Sequence, residues 1–263
     1  MNKDITPYSS EENKKTQVTQ MFDKIASRYD LLNHSLSLGM DFVWRKIAVK
    51  NLTNNPKKIL DIATGTADFA ISATKYTQAK VVGIDISKEM LSVGVEKIKK
   101  KNLEDRIKLL RGDCENLPFK SDSFDAMTAG FGVRNFENLQ KGLKEMYRVL
   151  QKNRTVVILE PSIPTNIILK TLFKLYFSYI LPALGKIFSN DSNAYKYLPD
   201  SVDAFPSGKN FIKELENAGF RNCKHIPLTF GIVALYVAIK WICFRWENDA
   251  YKKIFSFFYL NSI

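Results

Sequence analysis

The sequence has little of what a secreted, membrane-spanning or metal-binding protein needs. It holds three scattered cysteines, an odd number that favours a reducing cytoplasm over a disulfide framework. Its two histidines, His34 and His225, do not stand at a metal-ligand spacing from the cysteines. No metal-ligand cluster can therefore be assembled, and no metal is expected. No apolar run reaches about 18 residues, and the first residues are charged where a signal peptide is apolar. Neither a spanning helix nor secretion is therefore expected.

Acidic residues are also in deficit. The chain has 27 Asp and Glu against 39 Lys and Arg, a formal net charge of +12. That excess suits nucleic acid or an anionic membrane surface. The lysines are spread along the sequence, however, and their densest run, residues 97–101, falls where a predicted helix ends and cations complement its dipole. No basic stretch is interleaved with base-stacking aromatics, so we expect no nucleic-acid partner.

Residues 57–70 carry the strongest indication of chemistry. An apolar strand pattern runs to Asp61, breaks at Gly65 and gives way to a helix-forming run. Such an order places backbone N–H groups and a helix N-terminus around a ligand over the strand end. A second apolar run ends in Asp85, 20 residues after Gly65, where an acid can accept both hydroxyls of a ribose. The two strand ends predict a cofactor that contains adenosine.

Glycine spacing distinguishes NAD from S-adenosylmethionine as that cofactor. The NAD fingerprint requires a second glycine beside the pyrophosphate, and Ala67 stands at that position. S-adenosylmethionine has no phosphate, so it tolerates the methyl group. It also takes a polar contact at the adenine, which Asp113 can supply after the third predicted strand. We therefore expect S-adenosylmethionine as the cofactor.

Strand and helix patterns alternate along most of the chain. The predicted strands are residues 57–62, 80–85, 107–111, 124–129, 154–160, 222–227 and 231–240. This alternation indicates right-handed crossovers and an α/β fold with a doubly wound, mostly parallel seven-stranded sheet of the Rossmann-like methyltransferase kind. The last two strands are predicted to form an antiparallel edge.

Two segments are predicted to flank the strand ends of a methyltransferase domain at residues 1–240. They are a helical N-terminal lid at residues 18–50 and a substrate-side insertion at residues 163–205. Residues 241–263 form an aromatic C-terminal extension, which is either an interfacial helix or a helix packed on the sheet edge.

Several further segments resemble the ubiquinone/menaquinone biosynthesis C-methyltransferases. They are residues 21–30 (Met-Phe-Asp-Lys-Ile-Ala-Ser-Arg-Tyr-Asp), 131–135 (Phe-Gly-Val-Arg-Asn), 145–150 (Glu-Met-Tyr-Arg-Val-Leu) and 194–201 (Ala-Tyr-Lys-Tyr-Leu-Pro-Asp-Ser). The resemblance implies transfer of a methyl group from S-adenosylmethionine to a ring carbon of a polyprenyl hydroquinone, with demethylmenaquinol favoured over the ubiquinone-pathway precursor. It also implies that Thr66 and Asp85 contact the cofactor, while Asp113 and Cys114 frame the adenine.

Methylation of an aromatic carbon needs an electron-rich ring, and the phenol that must ionise has a pKa near about 10. Arg134 is our candidate for the cation that favours the phenolate, and Asn135 for orienting the ring oxygen. Arg134 could instead tie its loop to a carboxylate such as Asp30. Tyr29 could donate to the hydroxyl or help to deprotonate it, or simply pack in the core. Asp61 is a candidate for binding the methionine amino group.

A polyprenyl substrate predicts contact with a membrane surface. Residues 163–190 are apolar and punctuated by lysines, which suits a peripheral contact with phospholipid headgroups. We expect a cytoplasmic protein that is peripheral at the inner face of the membrane, with a homodimer as an open possibility. Two other readings stay open, a basic RNA-binding module on a methyltransferase scaffold and a degenerate scaffold without activity. The second is suggested by Ala67 and by Lys152-Asn153-Arg154 where the family has Pro-Gly-Gly.

Overall fold

A computed structural model gives the structure of residues 5–53, 55–175 and 192–241. Helices α1 to α8 span Lys14–Leu36, Met40–Lys50, Asp68–Tyr76, Lys88–Lys100, Leu139–Val149, Ile167–Leu175, Ser192–Ala204 and Lys209–Asn217. Strands β1 to β7 span Lys58–Ile62, Lys80–Asp85, Ile107–Arg111, Phe124–Gly130, Leu150–Pro161, Arg221–Leu228 and Val233–Ile239. Residues 176–191 of the predicted insertion and the extension beyond Trp241 lie outside the described residues.

The seven strands form one sheet in the order β3-β2-β1-β4-β5-β7-β6. Strands β1 to β5 are parallel, whereas β7 runs antiparallel to both β5 and β6. The predicted doubly wound sheet with an antiparallel edge is therefore confirmed. Strand order reverses between β1 and β4, which places a crevice at the carboxyl ends of these strands.

Successive side chains of each strand point to opposite faces of the sheet, and each face carries a buried apolar layer. In β1, Leu60 and Ile62 join one layer and Ile59 joins the other, and all three are fully buried. Met127 and Leu143 are also fully buried in the first layer. Truncating either to alanine should cost about 2–5 kcal/mol, because the close-packed layer cannot collapse onto the space.

The predicted helical segment at residues 18–50 consists of two helices. Leu38 and Gly39 break it with left-handed backbone, at φ of 50° and 75°. Helix α2 then crosses the sheet from its carboxyl edge to its amino edge. The indole Nε1 of Trp44 donates to Thr229 Oγ1 at 2.7 Å, and the Thr53 and Thr155 hydroxyls are 2.6 Å apart. No helix in the described part of the chain is long and apolar enough to cross a membrane.

Strand β5 begins four residues earlier than the 154–160 predicted. Leu150 pairs with Phe124, but the next pair is Thr155 with Ala126, so the residues between form a bulge. Asn153 takes a left-handed φ of 59° there and donates its backbone N–H to Lys240 O at 2.6 Å. The departure from Pro-Gly-Gly thus adds strand pairing at the amino edge, far from the crevice.

Candidate active site

A cavity of about 680 Å³, measured to its open mouth, lies at the carboxyl ends of β1, β2 and β4. A smaller space of about 350 Å³ adjoins it, and Tyr29 and Gly65 line both. Of the residues predicted from sequence, the larger cavity also contains Asp85, Asp113, Cys114 and Asn135, and the smaller contains Asp61 and Thr66. The structure brings all the predicted site residues except Arg134 to these walls.

Asp85 ends β2 and shapes the loop that follows β1. Its Oδ2 accepts the backbone N–H of Gly65 at 2.8 Å, and its Oδ1 accepts that of Ser87 at 2.9 Å. Burial raises the pKa of Asp85, although these N–H donors favour its charged form. Gly65 has a φ of +52°, and a Cβ added there would meet nothing within 4 Å. The loop therefore leaves open space beside the carboxylate.

Asp113 is held by the first helix. Lys15 Nζ of α1 lies 2.9 Å from Asp113 Oδ2 and 3.4 Å from the Glu115 carboxylate. The other oxygen, Asp113 Oδ1, accepts the backbone N–H of Glu115 at 2.8 Å. Cys114 beside it is buried, and burial raises the pKa of its thiol, so the side chain is a neutral wall of the cavity.

Asp61 is a buried carboxylate that shares the smaller space with Arg45, whose charge favours the ionised acid. It accepts the hydroxyls of Thr64 and Thr128, each at 2.6 Å, and none of the described lysine, arginine or histidine side chains forms an ion pair with it. Burial raises its pKa to about 6. Thr66 Oγ1 donates to Asp30 Oδ1 at 2.5 Å, so this hydroxyl is engaged with α1. The smaller space thus presents a buried acid that favours a cationic ligand group.

Asn135 and Tyr29 both line the larger cavity, from different elements. Asn135 lies in a short 3-10 helix after β4, and its Oδ1 accepts the hydroxyl of Tyr197 on α7 at 3.1 Å. That bond leaves the Nδ2 amide as the donor available to a ligand. Burial raises the pKa of Tyr29, so this phenol stays protonated at neutral pH and can donate but is a poor base.

Arg134 lines neither space. Its guanidinium lies 3.1 Å from the Glu160 carboxylate and also contacts Phe131 O and Ser201 Oγ. The alternative interpretation, that Arg134 ties its loop to a carboxylate, is confirmed, but the carboxylate is that of Glu160 and not the suggested Asp30. Asp30 instead pairs with Lys97 at 2.7 Å.

The structure corrects the expectation that no metal-ligand cluster can be assembled. Ligand atoms of Asp30, His34 and Asp68 lie within 4.8 Å of one another. Lys97 pairs with both Asp30 and Asp68, and the Arg45 guanidinium is 3.6 Å from Asp68. These cations already neutralise the carboxylates, so the cluster ties α1, α3 and α4 together.

Sequence reasoning missed the side chains of α1 that hold the strand-end loops. Besides Lys15 and Asp30, Asp23 Oδ1 accepts the Ser87 hydroxyl at 2.5 Å. It also missed Tyr197, which fixes Asn135. Lys15 and Asp113 are 98 positions apart, and no local spacing signals such a pair. Glu160 did carry a signal, since it is an acid within a strand of buried apolar residues.

A sequence model of the ubiE/COQ5 methyltransferase family matches residues 10–240. The chain belongs to this family. A demethylmenaquinone methyltransferase of Bacteroides fragilis is 47% identical over 238 residues, which are 90% of this chain and 97% of that protein. The ubiquinone/menaquinone biosynthesis C-methyltransferase UbiE of Geotalea daltonii is 45% identical over 227 residues, 85% of this chain and 96% of that protein.

A solved structure confirms the fold class of this ubiE/COQ5 family member. An S-adenosylmethionine-dependent methyltransferase of Thermotoga maritima, described as a possible histamine N-methyltransferase, matches with a TM-score of 0.60 at 20% identity. The match covers 84% of this chain and 98% of the other. The chain is thus a methyltransferase of the Rossmann-like fold that depends on S-adenosylmethionine, as the sequence predicted.

The residues present fit that cofactor. The open space beside Gly65 and Asp85 matches a ribose, which carries hydroxyl donors for a carboxylate. Buried Asp61 forms no ion pair with a described side chain, although the Arg45 charge acts on it, and the methionine end of the cofactor carries an ammonium with which such an acid can pair.

Proposed function

We propose that this chain transfers the methyl group of S-adenosylmethionine to a ring carbon of demethylmenaquinol, giving menaquinol. The observation that carries the proposal is the 47% identity, over 90% of the chain, to a relative named demethylmenaquinone methyltransferase. The cavity supports it, because Phe22, Phe131 and Phe136 line the space beside the polar strand ends and offer an apolar surface to an aromatic substrate.

Six residues would hold the cofactor. Asp85 accepts the ribose hydroxyls, Asp113 with Cys114 frames the adenine, and Asp61 receives the ammonium beside the backbone of Thr66. Gly65 leaves the room that the ribose needs. Bound S-adenosylmethionine supplies an electrophilic methyl group on a sulfonium. Lys15 and Val18 of α1 line one wall of the cavity, so α1 serves as the part of the predicted lid that keeps water from the reacting atoms.

Methyl transfer to the ring carbon would release the ring proton to solvent at the cavity mouth and would draw electron density from the ring. Electron density for this step comes from the quinol oxygen, so donors that stabilise a developing phenolate lower the barrier. Asn135 donates from Nδ2 to that oxygen, with its orientation set by Tyr197. Tyr29 is a second donor, since its raised pKa keeps it protonated. The catalytic role of Arg134 stays a prediction, and its guanidinium acts through the loop that carries Asn135.

The ubiquinone-pathway precursor is the second candidate substrate. It is favoured by the 45% identity to the relative of Geotalea daltonii, whose name covers both quinones. The two substrates differ in the ring, a naphthoquinol in one case and a benzoquinol in the other. Both carry a polyprenyl tail, so we also propose a peripheral contact with the cytoplasmic face of the membrane. The homodimer stays a prediction.

An anaerobic assay with methyl-deuterated S-adenosylmethionine and short-chain quinols tests the function. We expect the ring-demethylated naphthoquinol to gain the labelled methyl group by mass spectrometry, and the benzoquinol to gain it much more slowly. Transfer to the benzoquinol alone would replace the proposal with the ubiquinone-pathway alternative. Transfer to neither, by a protein that binds S-adenosylmethionine in isothermal titration, would overturn both.

A further inference from the structure

Three turns of the protein expose large apolar side chains to solvent. Leu38 in the α1–α2 turn is 90% exposed, Phe230 in the β6–β7 turn 79%, and Ile167 at the start of α6 77%. With their neighbours they form a set that we call the apolar rim: Leu38, Met40, Phe42, Val43, Ile167, Ile168 and Phe230. Single exposed apolar residues are ordinary, but a grouped set marks an interaction surface.

The three turns adjoin one another. Trp44 directly follows Val43 and donates to Thr229 Oγ1 at 2.7 Å, which sets the α1–α2 turn beside Phe230. On the other side of Phe230, a Cβ added at Gly231 would lie 3.5 Å from Pro164 Cα, three residues before Ile167. The rim is therefore one surface assembled from three separate parts of the chain.

This surface lies at the edge of the sheet where the cavity opens. Strand β5 leaves the sheet at Pro161, directly opposite the start of β7 at Val233, so all three turns stand at the carboxyl edge. The Trp44 ring packs edge-to-face on Phe131, with 6.2 Å between their centroids. Phe131 in turn lines the cavity. A substrate with an apolar tail can thus leave the cavity toward the rim.

Charge around the rim is of one sign. Between Ser35 and Val43 the one charged residue is Asp41, which is buried and paired with Arg45. Residues 162–175 contain lysines and no acid, and residues 228–232 contain no charge. Ile167 and Ile168 are therefore flanked by the exposed Lys170, and among the described residues none of these segments exposes a carboxylate that would repel an anionic surface.

Backbone conformation gives a further indication. Leu38 and Phe230 both have left-handed φ, 50° and 58°, at the tips of their turns. Bulky residues rarely adopt this conformation, and asparagine or glycine would be more stable there. Large apolar side chains retained at strained, exposed positions are the pattern expected where the side chain has a contact outside the protein.

We propose that the apolar rim inserts into the headgroup–acyl boundary of an anionic lipid bilayer, with the cavity mouth facing the membrane. The inference rests on the proposed function, since a polyprenyl quinol resides in the bilayer and must reach the cavity from it. Side chains that enter the boundary contribute through burial of apolar area, and the flanking lysines through attraction to anionic headgroups.

The test uses the full chain with one substitution in each turn: Leu38→Asn, Phe230→Asn and Ile167→Gln together. Asparagine suits the left-handed backbone at the first two positions. The matched control is Val95→Gln, because Val95 is 51% exposed on α4, which joins β2 to β3 at the other end of the sheet. Vesicle flotation compares equimolar phosphatidylglycerol–phosphatidylcholine with phosphatidylcholine alone.

We expect the wild type and the Val95 variant to bind the anionic vesicles, and the triple variant to bind about a hundredfold more weakly, on the order of fivefold per side chain. Turnover of a short-chain, water-soluble naphthoquinol should be unchanged, whereas turnover of vesicle-borne polyprenyl quinol should fall. Triple-variant binding equal to wild type overturns the proposal. A dimer that light scattering detects for the wild type but not for the triple variant also overturns it, because the rim would then join two copies of the chain. Failure of the proposed function gives a different result, because the wild type would then not turn over the soluble quinol.

Discussion

The Arg134 guanidinium lies 3.1 Å from the Glu160 carboxylate, with the two side chains 8% and 0% exposed. Glu160 also accepts the backbone N–H of Val133 at 2.6 Å, so this pair holds the short helix that presents Asn135 to the cavity. Burial raises the pKa of Glu160, although Arg134 favours its charged form. This structural ion pair therefore supports Asn135, which lines the site.

Arg134→Ala should destabilise the fold by about 3–5 kcal/mol, because it leaves the Glu160 charge buried without a partner. The measurement is urea unfolding at neutral pH. This single substitution changes both stability and turnover, so turnover of this variant alone decides nothing about the role of Arg134.

The double variant Arg134→Met, Glu160→Gln separates the two effects. Glutamine keeps an acceptor for the Val133 N–H and removes the buried charge, so we expect much of the stability to return. If the folded double variant turns over normally, the catalytic role predicted for Arg134 is wrong. A folded double variant with wild-type cofactor affinity and low kcat would support that role.

A feature of the site could be predicted from the sequence only where the residues that form it are close together along the chain. Strand ends at Asp61 and Asp85 could be located, because apolar periodicity and the turn glycine act within a few residues. The partner of Arg134 could not, since the choice between Asp30 and Glu160 depends on how α1 packs over the sheet. Asp30 is already held by Lys97, 67 positions away. Helix packing of this kind leaves no signature in residue spacing.

Asp61→Asn should stabilise the ligand-free protein while weakening cofactor binding. The folded pKa of Asp61 is about 6 against an ordinary value of 3.8, so keeping the charge in the fold at neutral pH costs about 3 kcal/mol. The variant removes that cost and keeps an acceptor for Thr64 or Thr128. It also removes the negative charge that the methionine ammonium requires.

The pH dependence gives the sign of this effect. Below about pH 4 Asp61 is protonated in both folded and unfolded chains, so variant and wild type should unfold at the same urea concentration. The difference should grow as pH rises toward 6, where the folded group ionises, and then stay constant. A constant difference across the whole range would show that Asp61 does not titrate in the fold as described. Titration calorimetry at pH 7.5 measures the loss of cofactor affinity.

Asp85→Asn should lower affinity for S-adenosylmethionine at least about thirtyfold, or about 2 kcal/mol, because charge-assisted bonds to the ribose are lost. The amide side chain would still offer one oxygen to the Gly65 or Ser87 N–H groups, so the loop should stay closer to its native form than with alanine. Asp105→Asn, an exposed acid away from the cavity, is the control for net charge. Equal affinity in the two variants would contradict the placement of the cofactor at this strand end.

Tyr197→Phe should lower kcat with little change in the affinity for S-adenosylmethionine. The Tyr197 hydroxyl donates to Asn135 Oδ1 at 3.1 Å and so determines which end of the amide faces the cavity. Without it the amide can rotate, and the donor to the quinol oxygen is present for part of the time. The loss falls on the ionised quinol and the transition state that follows, where that oxygen carries more charge than in the neutral quinol that binds, so kcat and kcat/KM should fall together. Tyr236→Phe is the matched control, because that buried hydroxyl accepts the Gly208 N–H at 2.8 Å and Tyr236 lines neither space of the site. Both variants lose one buried hydrogen bond and should lose similar stability, about 1 kcal/mol. A fall in kcat for both would mean that general loosening of the fold is responsible, whereas a fall for Tyr197→Phe alone identifies Tyr197 as the residue that positions Asn135.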